Sequence, residues 1–427
     1  MDPSGRDRSA VSWSGGAGTG GIYFAGKVGA GLLCGKTHSG MRKRCRMTGL
    51  PVLLAGMMVL VTAGCRWHTG DHSPDSLSER PGNRYARGFE IVREASYTRL
   101  NVYDPWQGAQ NQVFSYCLVP EGDPVPAEIR KEKVIRTPVQ KVVCFSTTQV
   151  AMIEFLGRGD AIAGVSGVDF IYSLRLRERV ERGLIRETGY DQAISWETLL
   201  ELKPDVVLAY GVTGEVNRNV RRMDELGIPV VFTAAYLEPH PLGKAEWLKF
   251  ISAFFMEGEK AGTLFAETEY QYLELARKAA AVEKRPGVLL GLPWKDTWYI
   301  SGGRSYAATL VHDAGGSYLW SELDSHESLP YSLESVYLRC LQADVWLNPG
   351  AARSREDIRN TDPRLAEIKA FGEGEVYNND ARMSPGGGND YWESGTLYPQ
   401  RILADLISIL HPGLLSGDRL YYYRKLP

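Results

Sequence analysis

The stretch "ISWETLLELKPDVVLAYG", residues 194–211, contains a helix, a turn and a strand in direct succession. A helix is predicted from Ser195 to Leu202, and the breaker Pro204 marks a turn behind it. The apolar run from Val206 to Ala209 is typical of a buried strand. This helix–turn–strand unit is the building block of an α/β layer with a mostly parallel sheet.

The same logic recurs on both sides of that stretch. "KVVCFSTTQVAMIEFLGRGDAIAGVSG" (residues 141–167) predicts a strand, a short polar loop, a helix ending at Gly157 and a second strand. "VNRNVRRMDELGIPVVFT" (residues 216–233) adds a helix and a strand. In the second half, "SLESVYLRCLQADVWLNPG" (residues 332–350) parallels the opening stretch, which gives a weak internal repeat. Two α/β segments are therefore expected.

A long helix is predicted between these two segments. "GEKAGTLFAETEYQYLELARKAAAV" (residues 258–282) is rich in Ala, Glu and Leu and lacks Pro. At 1.5 Å per residue it would extend about 35 Å. A helix of this length between two α/β segments indicates a connecting rod; the alternative is an ordinary amphipathic surface helix.

Composition sets outer bounds on function. The chain has 427 residues, 44% of them hydrophobic and 23% charged, which is typical of a globular protein with room for two domains. A formal net charge of −2 gives no reason to expect a nucleic-acid partner. Of the six cysteines, Cys34, Cys45 and Cys65 lie in the N-terminal part discussed below. The other three, Cys117, Cys144 and Cys340, are an odd number, so no disulfide framework is implied.

The N-terminal part has the layout of a secretory signal. The positive cluster "MRKRCR" (residues 41–46) precedes an apolar run that ends in Thr62-Ala63-Gly64-Cys65. That run is too short to span a bilayer. It resembles a bacterial lipoprotein signal with Cys65 as the acylated residue, although Thr62 stands where Leu is usual; the alternative is a buried strand.

A signal would begin at Met41 or Met47, so we expect residues 1–40 to be untranslated leader or disordered. The chain from Cys65 onward would then have 363 residues, the 427 of the sequence less the 64 before the cysteine. The predicted organisation is a signal peptide (41–64), a tether (65–84), a small antiparallel β annex (85–133), a first lobe (134–257), a connecting helix (258–283) and a second lobe (284–427).

Several chemistries find no motif in this sequence. It lacks GxGxxG after a strand, the P-loop lysine and the GxSxG elbow. Its histidines are scattered, so neither a caged metal nor a cofactor of its own is expected. Loops at the carboxyl ends of the strands remain, where open α/β sheets bind ligands. They are rich in aromatic and small polar residues, which suits a large, partly apolar organic ligand.

The candidate ligand-binding residues all lie in these loops, and some of the aromatics could equally be core. They are Ser146, Thr147, Thr148, Gly167, Asp169, Phe170, Tyr172, Tyr210, Trp294, Trp298, Arg304, Tyr306 and Trp392.

From about Val134 to Leu426 the chain resembles the periplasmic substrate-binding proteins of ABC importers for iron-siderophore, haem and cobalamin complexes. The resemblance rests on the ordered set "PVQKVVCFSTTQVAMIEFLG", "SWETLLELKPDVVLAYG", "LGIPVV", "PLGKAEWLKF", the long helix, "SYAATLVHDAGG", "SLESVYLRCLQADVWL" and "NDYWESG". It implies two α/β lobes joined by one long helix, with the ligand in the cleft between them and little lobe motion.

The resemblance also implies one exposed Glu on each lobe that pairs with Arg on the membrane permease. Glu334 matches in the second lobe, and Glu215 lies nearest in the first, where the alignment is off by a couple of residues. Tyr210 falls where the cobalamin-binding relative carries a ligand-facing aromatic. Arg304 could face a carboxylate-bearing chelate or pair with Asp296. The aromatic cleft leans slightly toward a corrinoid over a ferric siderophore, with haem as the alternative.

The sequence therefore predicts a monomeric binding protein held at the periplasmic face of the inner membrane through Cys65. It would deliver a metal chelate to an ABC permease and its ATPase, without catalysis. One rival is a chelate-processing enzyme with Asp169, Asp390 and Glu393 as its acids, although no nucleophile or base pairs with them. A surface-adhesion lipoprotein is the other rival.

Overall fold

The computed structural model describes residues 82–189, 193–211, 216–417 and 419–427. The predicted signal peptide, Cys65, residues 1–40 and most of the tether lie outside the described residues, as does Glu215. Within the described ranges, no helix combines the length and the apolar character needed to cross a bilayer.

The N-terminal annex is a four-stranded sheet in the order β1-β2-β3-β4. The first three strands pair antiparallel, but β3 and β4 are parallel, so the predicted wholly antiparallel annex is wrong for that pair. The predicted boundary at residue 133 is also too early, because β4 belongs to the annex sheet. The strands are β1 (Phe89–Arg93), β2 (Thr98–Tyr103), β3 (Val113–Pro120) and β4 (Lys133–Thr137).

The first lobe is built on a five-stranded parallel sheet in the order β7-β6-β5-β8-β9. Every residue of the central strands β5 and β8 is buried, which explains why they read as unbroken apolar runs. The elements are β5 (Val142–Cys144), α1 (Thr147–Phe155), β6 (Ile162–Val165), α2 (Leu174–Glu181), β7 (Arg186–Glu187), α3 (Trp196–Leu202), β8 (Val206–Ala209), α4 (Val216–Glu225), β9 (Val230–Phe232) and α5 (Pro241–Ala253).

The connecting helix α6 (Gly258–Ala280) has 23 residues and leads to the second lobe. There β12, β10, β14 and β15 are parallel, and β16 closes the sheet antiparallel to β15. The elements are β10 (Gly287–Leu290), β11 (Thr297–Ser301), α7 (Tyr306–Asp313), β12 (Ser317–Tyr318), β13 (Ser328–Ser332), α8 (Leu333–Cys340), β14 (Val345–Leu347), α9 (Arg355–Thr361), α10 (Lys369–Gly372), β15 (Val376–Asn378), α11 (Pro399–Leu410) and β16 (Arg424–Lys425).

Residues 84–88, which we call the strap, run into β1 and are held by two buried carboxylates on the α5 side. Glu246 is fully buried and accepts the backbone N–H groups of residues 84–86 at 2.8–3.1 Å, and the Lys249 ammonium at 2.7 Å. Glu238 accepts the N–H groups of residues 87 and 88 and the indole N–H of Trp247, each at 2.9 Å. The predicted tether therefore ends before Arg84 rather than after it.

The annex and the first lobe share one hydrophobic core. Phe89 of β1 packs edge-on against Trp247 and Phe250 of α5, at ring-centroid distances of 4.8 and 5.4 Å. The Tyr116 hydroxyl on β3 accepts the Phe232 N–H of β9 at 3.1 Å. The annex is thus a built-in part of the lobe rather than an appended module.

Candidate ligand-binding cleft

The loop after β5 starts α1 with a capping box. The Ser146 hydroxyl accepts the Thr148 N–H at 3.2 Å, and the Gln149 side chain accepts the backbone N–H groups of residues 145 and 146. Ser146 is therefore occupied as a helix cap. The half-buried Thr147 and Thr148 sit in the first turn of α1, at the carboxyl edge of the sheet.

The loop after β6 lies beside them at the same sheet edge. Gly167 has a φ of +80°, which a glycine adopts without strain, and its N–H binds the Glu187 carboxylate at 3.0 Å. Asp169 and Phe170 are exposed and Tyr172 is half-buried. This loop is thus well placed to meet a group arriving from the second lobe.

The second lobe meets these loops through residues 384–393, the glycine-rich loop that follows β15. Thr148 Oγ1 donates to the Trp392 carbonyl at 2.9 Å, and Ser384 Oγ donates to the Asp169 carbonyl at 3.1 Å. The Glu393 carboxylate accepts the N–H groups of Tyr172 and Ser173 at 2.9 and 3.3 Å. We call this contact between residues 384–393 and the first lobe the clasp.

Two glycines make the clasp sterically possible. A Cβ on Gly386 would lie 2.2 Å from the Asp169 carbonyl oxygen, and one on Gly388 would lie 1.8 Å from that of Phe170. Both distances are far inside van der Waals contact with backbone atoms. The sequence "PGGGN" therefore permits one lobe's backbone to lie directly on the other's.

Glu393 is a buried ionisable residue of the clasp, and its pKa is shifted. Burial raises its pKa to about 8, and the nearby carboxyls of Asp390 and Glu154 push it the same way, against the two N–H donors. No cation contacts the Glu393 carboxylate among the described residues. The clasp therefore holds best when this carboxyl is protonated.

A cation–aromatic stack runs alongside the clasp. The Arg382 guanidinium lies 4.8 Å from the ring centroid of Tyr172 and 4.2 Å from that of Tyr421, and its Nε donates to Asp390 at 2.6 Å. Because Tyr172 belongs to the first lobe and Arg382 to the second, the stack adds a second contact between the lobes.

Tyr210, at the end of β8, lies on a different part of the sheet edge. Its ring is 6.2 Å from that of Tyr236, whose hydroxyl donates to the Gly211 carbonyl. The annex loop between β2 and β3 reaches the same place, where Trp106 packs against Phe232 at 5.7 Å. The annex loop thus lies beside Gly211, the residue that follows Tyr210.

Trp298 and Tyr306 have different surroundings in the second lobe. Trp298 is fully buried, donates its indole N–H to the Leu290 carbonyl at 3.1 Å and stacks on Trp346. Its prediction as a ligand-binding residue is wrong, because it points inward from β11. Tyr306 is half-buried at the start of α7, and its ring faces the Lys244 ammonium at 3.9 Å.

Trp294 and Arg304 lie nearer the surface. Trp294 is 49% exposed, with the Lys295 ammonium 4.5 Å from its ring centroid. Arg304 pairs with Asp324 at 2.5 Å, a partner that the sequence did not suggest. Both side chains remain candidates for ligand contact.

Glu334 lies in the first turn of α8 and is exposed. It makes an ion pair of 3.4 Å with Arg364, which pairs more closely with Asp362 at 2.7 Å. An exposed pair of this length contributes little stability, so the carboxylate is available to another cation.

Of the predicted ligand-binding residues, the structure brings Thr148, Asp169, Phe170, Tyr172 and Trp392 together at the clasp. Sequence reasoning missed three residues near the strand-end loops, of which one lies beside the clasp, one beside Tyr306 and one in the annex. Arg382 lies two residues before the glycine-rich loop 384–393, Lys244 lies in the first turns of α5, and Trp106 belongs to the annex loop between β2 and β3. No sequence pattern pointed to Lys244, because its position beside Tyr306 depends on how α5 packs.

Two α/β lobes, one long connecting helix and strand-end loops that meet between the lobes define a solute-binding protein of the periplasmic type. The family model described as "Periplasmic binding protein" matches residues 142–383, more than half of the chain. The chain belongs to this family. Its members bind solutes and are not enzymes, which rules out the enzyme rival.

Two curated relatives match most of the chain. The chain is 26% identical over 365 residues to the uncharacterized lipoprotein MJ0878 of Methanocaldococcus jannaschii, covering 80% of this chain and 84% of the relative. It is 25% identical to the lipoprotein MJ0872 of that organism, covering 88% and 98%.

Two solved structures share the fold. A periplasmic haem-binding protein from Pseudomonas aeruginosa superposes with a TM-score of 0.50 at 18% identity, covering 64% of this chain and 94% of its own. A possible iron-binding periplasmic solute-binding protein from Staphylococcus epidermidis gives 0.51 at 17% identity, covering 64% and 100%. The predicted α/β fold with two mostly parallel sheets is confirmed.

Proposed function

We propose that this protein captures a metal chelate in the cleft between its lobes and delivers it to an ABC permease. The observation that carries the proposal is the clasp, where loops from both lobes meet at the carboxyl edges of their sheets. Aromatic and hydroxyl groups concentrate there, the composition that suits a large, partly apolar ligand. A corrinoid or a ferric siderophore is the preferred ligand, with haem as the second candidate.

The proposal includes an anchor and a docking surface. Acylation of Cys65 would hold the protein at the periplasmic face of the membrane, and the two lipoprotein relatives support this reading. A tethered binding protein works at raised local concentration beside its permease. Glu334, with Glu215 as the weaker partner on the first lobe, would pair with arginines of that permease.

A ligand screen tests the proposal. The purified chain from residue 82 onward would be examined by native mass spectrometry and thermal shift with cobalamin, cobinamide, haem and two ferric siderophores. We expect a one-to-one complex with one of these ligands and a rise in Tm that grows with its concentration. A Trp392→Ala variant is expected to lose affinity without unfolding. If none of the five compounds binds, the proposed ligand class is wrong.

A further inference from the structure

Two lysines of helix α5 face aromatic rings, and only one of them is paired with a carboxylate. The Lys249 ammonium lies 4.4 Å from the ring centroid of Phe265 and 2.7 Å from Glu246 Oε1. The Lys244 ammonium lies 3.9 Å from the ring centroid of Tyr306. Among the residues that the structure describes, the Lys244 ammonium has neither an ion pair nor a hydrogen bond, whereas the Lys244 backbone N–H donates to the His240 carbonyl within α5.

The Lys244 ammonium is partly shielded from water in the free protein, because the residue is half-buried. Burial lowers the pKa of Lys244 to about 8, and the Glu238 carboxylate opposes that shift only from a distance. The oxygens of Glu238 are already committed to the strap and to Trp247. An aromatic face returns less free energy than removal of a charge from water costs. Within the described part of the chain, no carboxylate contacts the Lys244 ammonium directly.

The surroundings of Lys244 connect it to the contact between the lobes. Tyr306 starts α7 directly after the predicted ligand-binding loop, and its hydroxyl interacts with that of Tyr391. The next residue is Trp392, whose carbonyl binds Thr148 of the first lobe. Two tyrosine rings, those of Tyr306 and Tyr391, thus lead from Lys244 to the residue whose carbonyl joins the lobes.

We propose that Lys244 recognises a carboxylate carried by the bound chelate. The inference rests on the proposed function and deepens it, because it selects anionic chelates over neutral ones. The ligand carboxylate supplies the counter-charge that the protein itself withholds, and the ring of Tyr306 keeps the ammonium in place while the cleft is empty.

Matched ligand pairs test the inference by titration calorimetry at pH 7. The pairs are haem and haem dimethyl ester, cobalamin monocarboxylic acid and cobalamin, and a ferric hydroxamate with and without a terminal carboxylate. For the pair that binds, we expect the acid to bind about tenfold more tightly than its neutral partner in the wild-type protein. Lys244→Met should abolish that ratio, and Lys244→Arg should retain part of it.

Lys249→Met is the matched control, since it removes a lysine of the same helix that also faces an aromatic ring. It should lower stability by unpairing Glu246 and leave the acid-to-neutral ratio unchanged. If Lys244→Met folds and keeps the ratio, the inference is overturned while the proposed function stands. If the wild-type protein binds none of the six compounds, the proposed function fails and the inference falls with it.

Discussion

The strap and the clasp are held by the same type of hydrogen-bonded contact, but the charges around the two contacts differ. In each, a buried glutamate accepts backbone N–H groups from a distant segment of the chain. Glu246 receives three such groups and the Lys249 ammonium, whereas Glu393 receives two and faces other carboxyls instead of a cation. A buried carboxylate that is paired with a cation holds two segments together permanently, whereas one without a cation makes a contact that can open.

This difference matches the positions of the two joints. The strap fixes the chain's entry into β1 against α5, and Tyr85 extends it to Glu269 on the connecting helix at 2.7 Å. The clasp joins the two lobes at the place where the proposed ligand would enter. The glutamate that is paired with a cation therefore fixes the entry of the chain into β1, and the glutamate without one lies at the contact between the lobes.

The largest expected effect is at the strap. Glu246→Ala leaves three N–H groups, which are partly or fully buried, without an acceptor and Lys249 without its partner, so we expect a loss of about 3–5 kcal/mol in the free energy of unfolding. Urea denaturation measures it. Glu267→Ala, on the exposed face of α6, should change stability by less than about 0.5 kcal/mol. A loss at Glu246 as small as that of the control would mean that the strap is not a structural joint.

The next effect is at the clasp glycines. Gly388→Ala places a Cβ against the Phe170 carbonyl, so the loop must move away, at a cost of about 1–3 kcal/mol. Hydrogen exchange of residues 167–173 should become faster. Gly387→Ala is the control, because its Cβ would meet no atom within 4 Å and only its φ of +90° is strained. Equal exchange in both variants would show that close backbone contact does not hold the lobes.

A smaller effect is expected from pH. The Glu393 pKa is raised in the closed clasp, so the closed form binds a proton that the open form releases. This contribution is fully present below the ordinary glutamate pKa and is lost as pH rises through about 8. Exchange of the Tyr172 and Ser173 amides, corrected for intrinsic rates, should therefore accelerate from pH 5 to 8. Glu393→Gln should flatten that profile; an unchanged profile would assign the effect to another group.

The smallest structural effect is at Glu334. Because the side chain is exposed and its ion pair with Arg364 is long, Glu334→Arg should alter stability by less than about 0.5 kcal/mol and leave chelate binding intact. Uptake in cells that carry the partner permease should fall. Glu356→Arg, on the exposed surface of α9, is the control. Normal uptake in the Glu334 variant would remove this residue from docking.

The sequence predicted the lobes well for a physical reason. Buried parallel strands carry unbroken apolar runs, and the units around β5, β8 and β14 each have polar or proline residues at their turns. Strand-end loops followed from the same pattern, which is why five predicted ligand-binding residues do meet.

The rest depended on packing that no local pattern encodes. Trp298 lies in a short strand whose alternation turns it inward, and the sequence offered no sign of which face was buried. Arg84, where the strap begins, was assigned to the tether, because the carboxylates that anchor the strap lie 150 to 162 residues away in the chain. Lys244 was missed for a similar reason, since its aromatic partner is on the other lobe.

The most direct test of the account is hydrogen exchange with and without cobalamin, or with whichever chelate the screen retains. The account predicts that bound ligand changes protection in both lobes at once, over residues 145–148 and 167–173 in the first and residues 384–393 in the second. Changes confined to a single lobe, or to the annex, would contradict a ligand site between the lobes.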